Sequence, residues 1–202
     1  MTTFDPRRDT ERESQEIWLR NFWSDSVRAE RKVSDVLARW NGLPSTEAAE
    51  ELLACCGSKA WANKMATQRP IANEIALLAA CDTACESLTE CDWLEAFRGH
   101  PRIGETGAPA PTSLRSASWS RQEQRSARTE NDDVQIAMAE GNRAYEQRFR
   151  RTFIICATGK SVAEILDSLR RRLQNDDSTE LHEAAEQQRQ IARLRLMKWL
   201  AS

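Results

Sequence analysis

Histidine is almost missing from this chain: His100 and His182 are the two in 202 residues. They stand far apart, and neither lies at zinc-ligand spacing from a cysteine. The six cysteines, among them the neighbours Cys55 and Cys56 and the pair Cys81 and Cys85, include no Cys-x-x-Cys. That pattern argues against a metal centre and a redox motif, and leaves reduced thiols acting as small hydrophobes. Long apolar runs are missing too; none approaches the ~18–20 residues that span a bilayer, so no membrane partner is expected. Neither sign of charge is in excess, with 29 Lys and Arg against 31 Asp and Glu. A net charge of −2 gives no basic field for nucleic acid. The polar, charged stretch Met1–Arg12 is no secretory signal, and the chain ends Leu-Ala-Ser rather than in a peroxisomal Ser-Lys-Leu. The expectation is a cytoplasmic protein of one domain with an appendage.

What is present is helical periodicity. Trp18, Leu19, Phe22 and Trp23 predict a helix over Thr10–Val27, and Val33, Val36, Leu37 and Trp40 a second over Arg28–Trp40. Asn41-Gly42-Leu43-Pro44 stops the pattern, and Ser45 reads as the N-cap of a helix running to about Cys56. Further helices are expected over Lys59–Gln68, over 71–88 with Ile71, Ile75, Leu77, Leu78 and Cys81 inward, and over Glu90–Arg98. Thr106–Ser113 is a Pro-rich loop, either a lid or a passive connector. Helix resumes from Ser120 to about Glu130, then over Asp133–Arg148 with Ile136, Ala139, Tyr145 and Phe149 inward. Ser161 with Glu164 forms a capping box, and a last helix starts near Thr179. One run is β-like, Thr152–Ala157. The fold class is therefore all-α, a multi-helix bundle with one short isolated extended segment. Residues 1–40 form a charged N-terminal extension with one or two helices, and 41–202 the helical domain.

Five stretches carry chemistry. His100 ends a helix, and Pro101 keeps it out of helical geometry, at a boundary where functional side chains concentrate. Its imidazole suits proton transfer near neutral pH. His182, among Glu180, Glu183 and Glu186, reads as surface. Ser120-Arg121-Gln122-Glu123-Gln124 fits first a helix-starting capping box; its serine, carboxylate and amide could also grip a ureido or amide group. Arg195 falls on the apolar stripe of the last helix with Leu181, Ala184, Ile191, Ala192 and Trp199, whereas Arg193 falls on the solvated side. A buried arginine needs a carboxylate, from the protein or from a ligand. Asn142, Tyr145 and Phe149 form a packing stripe, with Asn142 bonding to backbone. Phe153, Ile154, Ile155, Cys156 and Ala157 would leave main-chain groups for a polar ligand, or pair with a second strand.

Taken in order, Gly-His-Pro-Arg-Ile-Gly-Glu, Ser-x-x-Glu-Gln, Asn-x-x-Tyr-x-x-x-Phe, Phe-Ile-Ile-Cys-Ala-x-Gly, Arg-Leu-x-Asn and Ile-Ala-Arg-Leu-Arg-Leu resemble the OHCU decarboxylase family, from about Leu43 to Leu200. OHCU is 2-oxo-4-hydroxy-4-carboxy-5-ureidoimidazoline, formed in uric acid breakdown. The resemblance implies an all-helical homodimer without metal or organic cofactor that converts OHCU, its small-molecule substrate, to (S)-allantoin. It implies His100, Glu123 and Arg195 as catalytic residues. It implies Pro101, the segment Ser120 through Gln124 (Arg121 and Gln122 included), and the main chain of Phe153 through Ala157 as substrate contacts. One departure is Arg150, where the family often has glycine after the phenylalanine; if that glycine supplies a positive φ, the loop geometry changes here. Two other functions compete: a helical scaffold with a degenerate site, and a lyase or hydrolase for another ureido or imidazoline acid.

Overall fold

A computed structural model describes residues 35–104, 114–124 and 132–202. The helix expected over Thr10–Val27 and the loop Thr106–Ser113 lie outside the described residues. So does most of the helix expected over Arg28–Trp40, of which 35–41 is seen as α1. The others are α2 (Ser45–Cys56), α3 (Lys59–Thr67), α4 (Glu74–Glu86), α5 (Glu90–Arg98), α6 (Leu114–Glu123), α7 (Asp132–Phe149), α8 (Val162–Arg172) and α9 (Asp177–Leu200). Among the described residues there is no strand.

Side-chain caps explain most helix starts. Ser58, Asn73 and Asp176 accept the first free N–H groups of α3, α4 and α9. Thr89 with Asp92, and Ser161 with Glu164, form full capping boxes on α5 and α8. Ser45 is a correction: Pro44 stands at the cap of α2, and the Ser45 hydroxyl instead accepts from Arg69 Nη2 at 3.3 Å. Arg69 also donates to the carbonyls of Trp40 at 2.8 Å and Leu43 at 2.7 Å, closing the end of α1.

Two cores form. The larger joins α1 to α5 with α9, centred on buried Trp40, Leu52, Trp61, Leu77, Phe97 and Trp199. Trp40 and Trp199 meet edge to face, 5.6 Å between centroids. The smaller joins α7 and α8 through Met138, Tyr145, Phe149, Ile165 and Leu169. Gly141 lets these helices close up; a Cβ there would sit 2.6 Å from Leu169 Cδ2.

The segment 153–157 is the seam. Ile154 and Cys156 enter the larger core, while Phe153, Ile155 and Ala157 enter the smaller. Period-two alternation between two apolar environments explains why a continuous apolar run is extended here without a sheet.

Four expectations about faces change. Ile75 is 80% and Ile136 56% exposed; the inner stripe of α7 is Met138, Asn142, Tyr145 and Phe149. The helix expected over Ser120–Glu130 starts earlier, and its described part, Leu114–Glu123, closes in a turn at Gln124, while 125–130 lie outside the described residues. Ser120 and Glu123 thus occupy its last turn, one helical step apart, and do not cap its start. Glu180, read as exposed, is fully buried against Arg172. Arg193 is half-buried and pairs with Asp82 on α4.

Candidate active site

The α5 helix ends at Arg98, and the His100 N–H still reaches back to the Phe97 carbonyl at 3.1 Å. Beyond it the chain is held from three sides. Gln124 Nε2 donates to the Pro101 carbonyl at 3.3 Å. Arg102 forks onto Glu146 at 2.7 and 2.6 Å. Asn142 Nδ2 donates to the Ile103 carbonyl at 2.9 Å, the backbone bond expected of it. A loop fixed at successive residues points His100 into a small pocket that is partly open to solvent.

The opposite wall comes from α6 and α9. Arg195, 2% exposed, donates from Nε and Nη2 to Glu123 at 3.1 and 2.8 Å, and from Nη2 to Ser120 Oγ at 2.9 Å. Its Nη1 reaches the Ala54 carbonyl at 3.3 Å. The carboxylate that a buried Arg195 requires is therefore an internal one. Lys198 adds a second cation at 3.1 Å from Glu123 Oε1. Burial alone would raise the Glu123 carboxyl. The hydrogen bonds and charge of Arg195, joined by Lys198, outweigh it and hold Glu123 below the usual carboxylate range.

His100 is neutral at pH 7. Removal of its ring from water pushes it down, to about 3, and the nearby Arg195 charge acts the same way. Glu123 and the side chain of Gln188 pull in the other direction. The residue keeps a partly exposed edge, so water limits the size of this depression without reversing it.

The third wall is the seam. Side chains hold one edge of its backbone: Arg172 Nη1 donates to the Ile154 carbonyl at 2.7 Å, Lys160 Nζ to the Cys156 carbonyl at 2.7 Å, and Gln187 Oε1 accepts the Cys156 N–H at 3.0 Å. In extended chain the peptide groups of residue 155 face the opposite edge. Among the described residues the Ile155 N–H and C=O have no hydrogen-bond partner, and Ile155 lines the pocket. The segment offers one donor and one acceptor side by side, the pattern that an amide or ureido group matches.

His100, Pro101, Ser120, Glu123, Gln124 and residues 153–157 all line the pocket. Arg195 stands behind Glu123. Arg121 and Gln122 are exposed and do not line it. Sequence reasoning missed Lys198 and the supports of the seam, Lys160, Gln187 and the buried pair Arg172–Glu180. Glu180 also accepts from Tyr145 Oη, and from Asn175 Nδ2 at 2.8 Å. The signal was in α9: 180, 184, 188, 191 and 195 keep helical spacing, which sets Glu180 on the same stripe as Arg195. Among the described residues no acid, Cys and His cluster suits a metal.

The comparisons with known proteins point to one family. A family model described as OHCU decarboxylase matches residues 41–197. A uric acid degradation bifunctional protein of Arabidopsis thaliana is 38% identical over 150 residues, 74% of this chain; the chain spans 46% of that relative's length. A Haloferax volcanii protein named for decarboxylation of 2-oxo-4-hydroxy-4-carboxy-5-ureidoimidazoline is 27% identical over 145 residues, 70% of this chain and 81% of the relative. An OHCU decarboxylase crystallised in the presence of (S)-allantoin superposes with a TM-score of 0.63 and 32% identity, covering 76% of this chain and 99% of that one. An (S)-allantoin synthase, at 20% identity and a TM-score of 0.58 over 83% of this chain and 53% of that one, shares the fold. With the motifs in order, the helical architecture matched and the family model covering most of the chain, the protein belongs to the OHCU decarboxylase family.

Proposed function

We propose that this chain is a carboxy-lyase that decarboxylates OHCU to (S)-allantoin in uric acid breakdown, with no cofactor. The observation that supports this best is the pocket itself. It gathers a neutral histidine, an ionised carboxylate paired to a buried arginine, and an unpaired main-chain donor and acceptor from four stretches distant in sequence.

The reaction asks for those groups. The bond from the ring carbon to the carboxylate breaks, carbon dioxide leaves, and the electron pair moves into the conjugated ring. A proton is then added to one face of a ring carbon. Because the ring takes up the electrons, the protein supplies orientation, charge and a proton path. In this reading neutral His100 takes the hydroxyl proton of the substrate and returns it to the ring carbon, while water supplies the one further proton, to the ring nitrogen that received the electron pair of the broken bond. Glu123 holds the hydroxyl or His100 in place, and Arg195 with Lys198 offsets the anionic charge. The Ile155 peptide groups hold the ureido edge, and Pro101, Ser120 and Gln124 shape the wall.

The reading also includes a homodimer in the cytoplasm, as the family resemblance implies; no described helix is long and apolar enough to cross a membrane. Sedimentation of the full chain tests the dimer. The function is tested by adding purified protein to freshly generated OHCU and following carbon dioxide release and circular dichroism. Accelerated decay with accumulation of the (S) enantiomer is expected. Decay at the spontaneous rate to racemic allantoin would refute it and leave the scaffold reading. Faster turnover of a related ureido or imidazoline acid would redirect it to that substrate.

A further inference from the structure

The pocket accounts for one side of the His100 ring; the other side meets a residue that no part of the mechanism above uses. Gln188 is fully buried in α9, on the stripe that carries Arg195 two turns later. Its Nε2 donates to the Cys56 carbonyl at the end of α2, at 3.3 Å. That bond sets which way the amide faces. The remaining atom, Oε1, is buried and has no hydrogen-bond partner among the described residues. Buried amide oxygens left in that state are rare. The His100 imidazole is the titratable ring beside this side chain, close enough for Gln188 to pull its basicity upward.

We propose that Gln188 is the positioning residue of His100, its side-chain carbonyl accepting the ring N–H that faces away from the pocket. An amide oxygen only accepts, so it selects the ring nitrogen that carries hydrogen. A neutral imidazole has one such nitrogen. With that N–H directed at Gln188, the other nitrogen presents its lone pair to the pocket, where a substrate proton is taken up. The Cys56 carbonyl fixes the amide, the amide fixes the tautomer, and the tautomer fixes the direction of proton transfer. The charged groups facing the ring are Arg195 from α9, which disfavours its protonation, and Glu123 from α6, which favours it. Gln188 adds a neutral dipole that holds the cation formed in mid-reaction without keeping the resting ring charged.

The role of His100 as the proton-transfer group rests on the proposed function, but the tautomer does not, and the two are measured separately. With two histidines in the chain, ¹⁵N-histidine labelling of the full-length protein gives separable ring signals, His182 serving as the exposed reference. The expected result is one dominant His100 tautomer in wild type, lost in Gln188→Leu. In Gln188→Glu, which keeps an acceptor and adds charge, the His100 titration midpoint rises by about one unit or more. For OHCU, kcat of Gln188→Leu is expected to fall about tenfold or more with KM within twofold. A mixed-tautomer His100 in folded wild type would overturn the proposal even if no variant folds. So would identical His100 spectra in wild type and Gln188→Leu. The expected spectra in a wild type that does not turn over OHCU would leave the positioning role intact and reject the function.

Discussion

At the level of single residues, the decisive quantities are two displaced ionisations. His100 has its basicity lowered by loss of solvent and by Arg195, so the ring stays neutral in mild acid and able to fill the proposed role of proton acceptor. The expected pH profile of kcat/KM is flat from pH 8 to about 5, whereas an ordinary histidine near 6.5 would lose activity below that value. An acid limb centred near 6.5 would contradict the neutral, desolvated ring. The same displacement has a sign for stability. Between the unfolded value near 6.5 and the lower folded one, the unfolded chain binds more protons, so acidification destabilises the fold through His100. Glu123, also lowered, contributes stability above its unfolded value that is lost as pH falls through its folded one. Urea titrations at pH 7 and pH 5 should show wild type losing more stability on acidification than His100→Asn, which has nothing to protonate. Both residues were legible in the sequence as residue types at helix ends. Their ionisation was not, because it depends on Arg195, some 70 residues or more away in the chain.

At the level of elements, the seam and its supports govern the site. Arg150, in the place where the family often has glycine, ends α7 with φ at 57°, the left-handed conformation that glycine adopts freely. A non-glycine residue held in that conformation accepts strain of about 1–2 kcal/mol. Arg150→Gly should relieve that strain. Partly offset by the larger unfolded-state entropy of glycine, the expected net gain is about 0.5–1 kcal/mol in urea unfolding, with activity unchanged. Glu180 carries the opposite sign. It is the buried partner of Arg172, which in turn holds the Ile154 carbonyl and lies 4.7 Å over the Phe153 ring. Glu180→Gln removes the buried carboxylate that Arg172 forks onto and leaves it only the longer 4.0 Å contact with Glu183, at a cost of about 3–5 kcal/mol. KM should rise with it, because the wall that carries Ile155 loses its anchor. Wild-type stability in that variant would show that the pair is not structural. The sequence made the extended run visible through its uniform apolarity. It did not show that the run divides its side chains between two cores, since both environments demand the same residue types.

For the whole molecule, helix number, order and most boundaries followed from periodicity and capping signals, and the structure keeps them over the described residues. The misread boundary lay at α6, whose mean polarity hid its start and whose Ser120–Glu123 spacing imitates a cap. The tertiary arrangement explains both features: a helix that buries Ser116 and Ser120 against Arg195 needs no apolar stripe there. Gly141 is where α7 and α8 close on each other within the smaller core, and Gly141→Ala should lower stability by about 1–3 kcal/mol by driving Leu169 off its seat, despite the better helix propensity of alanine. The claim that unites these levels is that the pocket at His100 makes one hand of allantoin. The most direct measurement compares wild type with His100→Asn, folding verified by circular dichroism, in the time course of optical activity after OHCU is generated. Wild type should build up the (S) signal faster than spontaneous decay, and His100→Asn should yield racemic product at the spontaneous rate. Equal (S)-allantoin formation by both proteins would contradict the account.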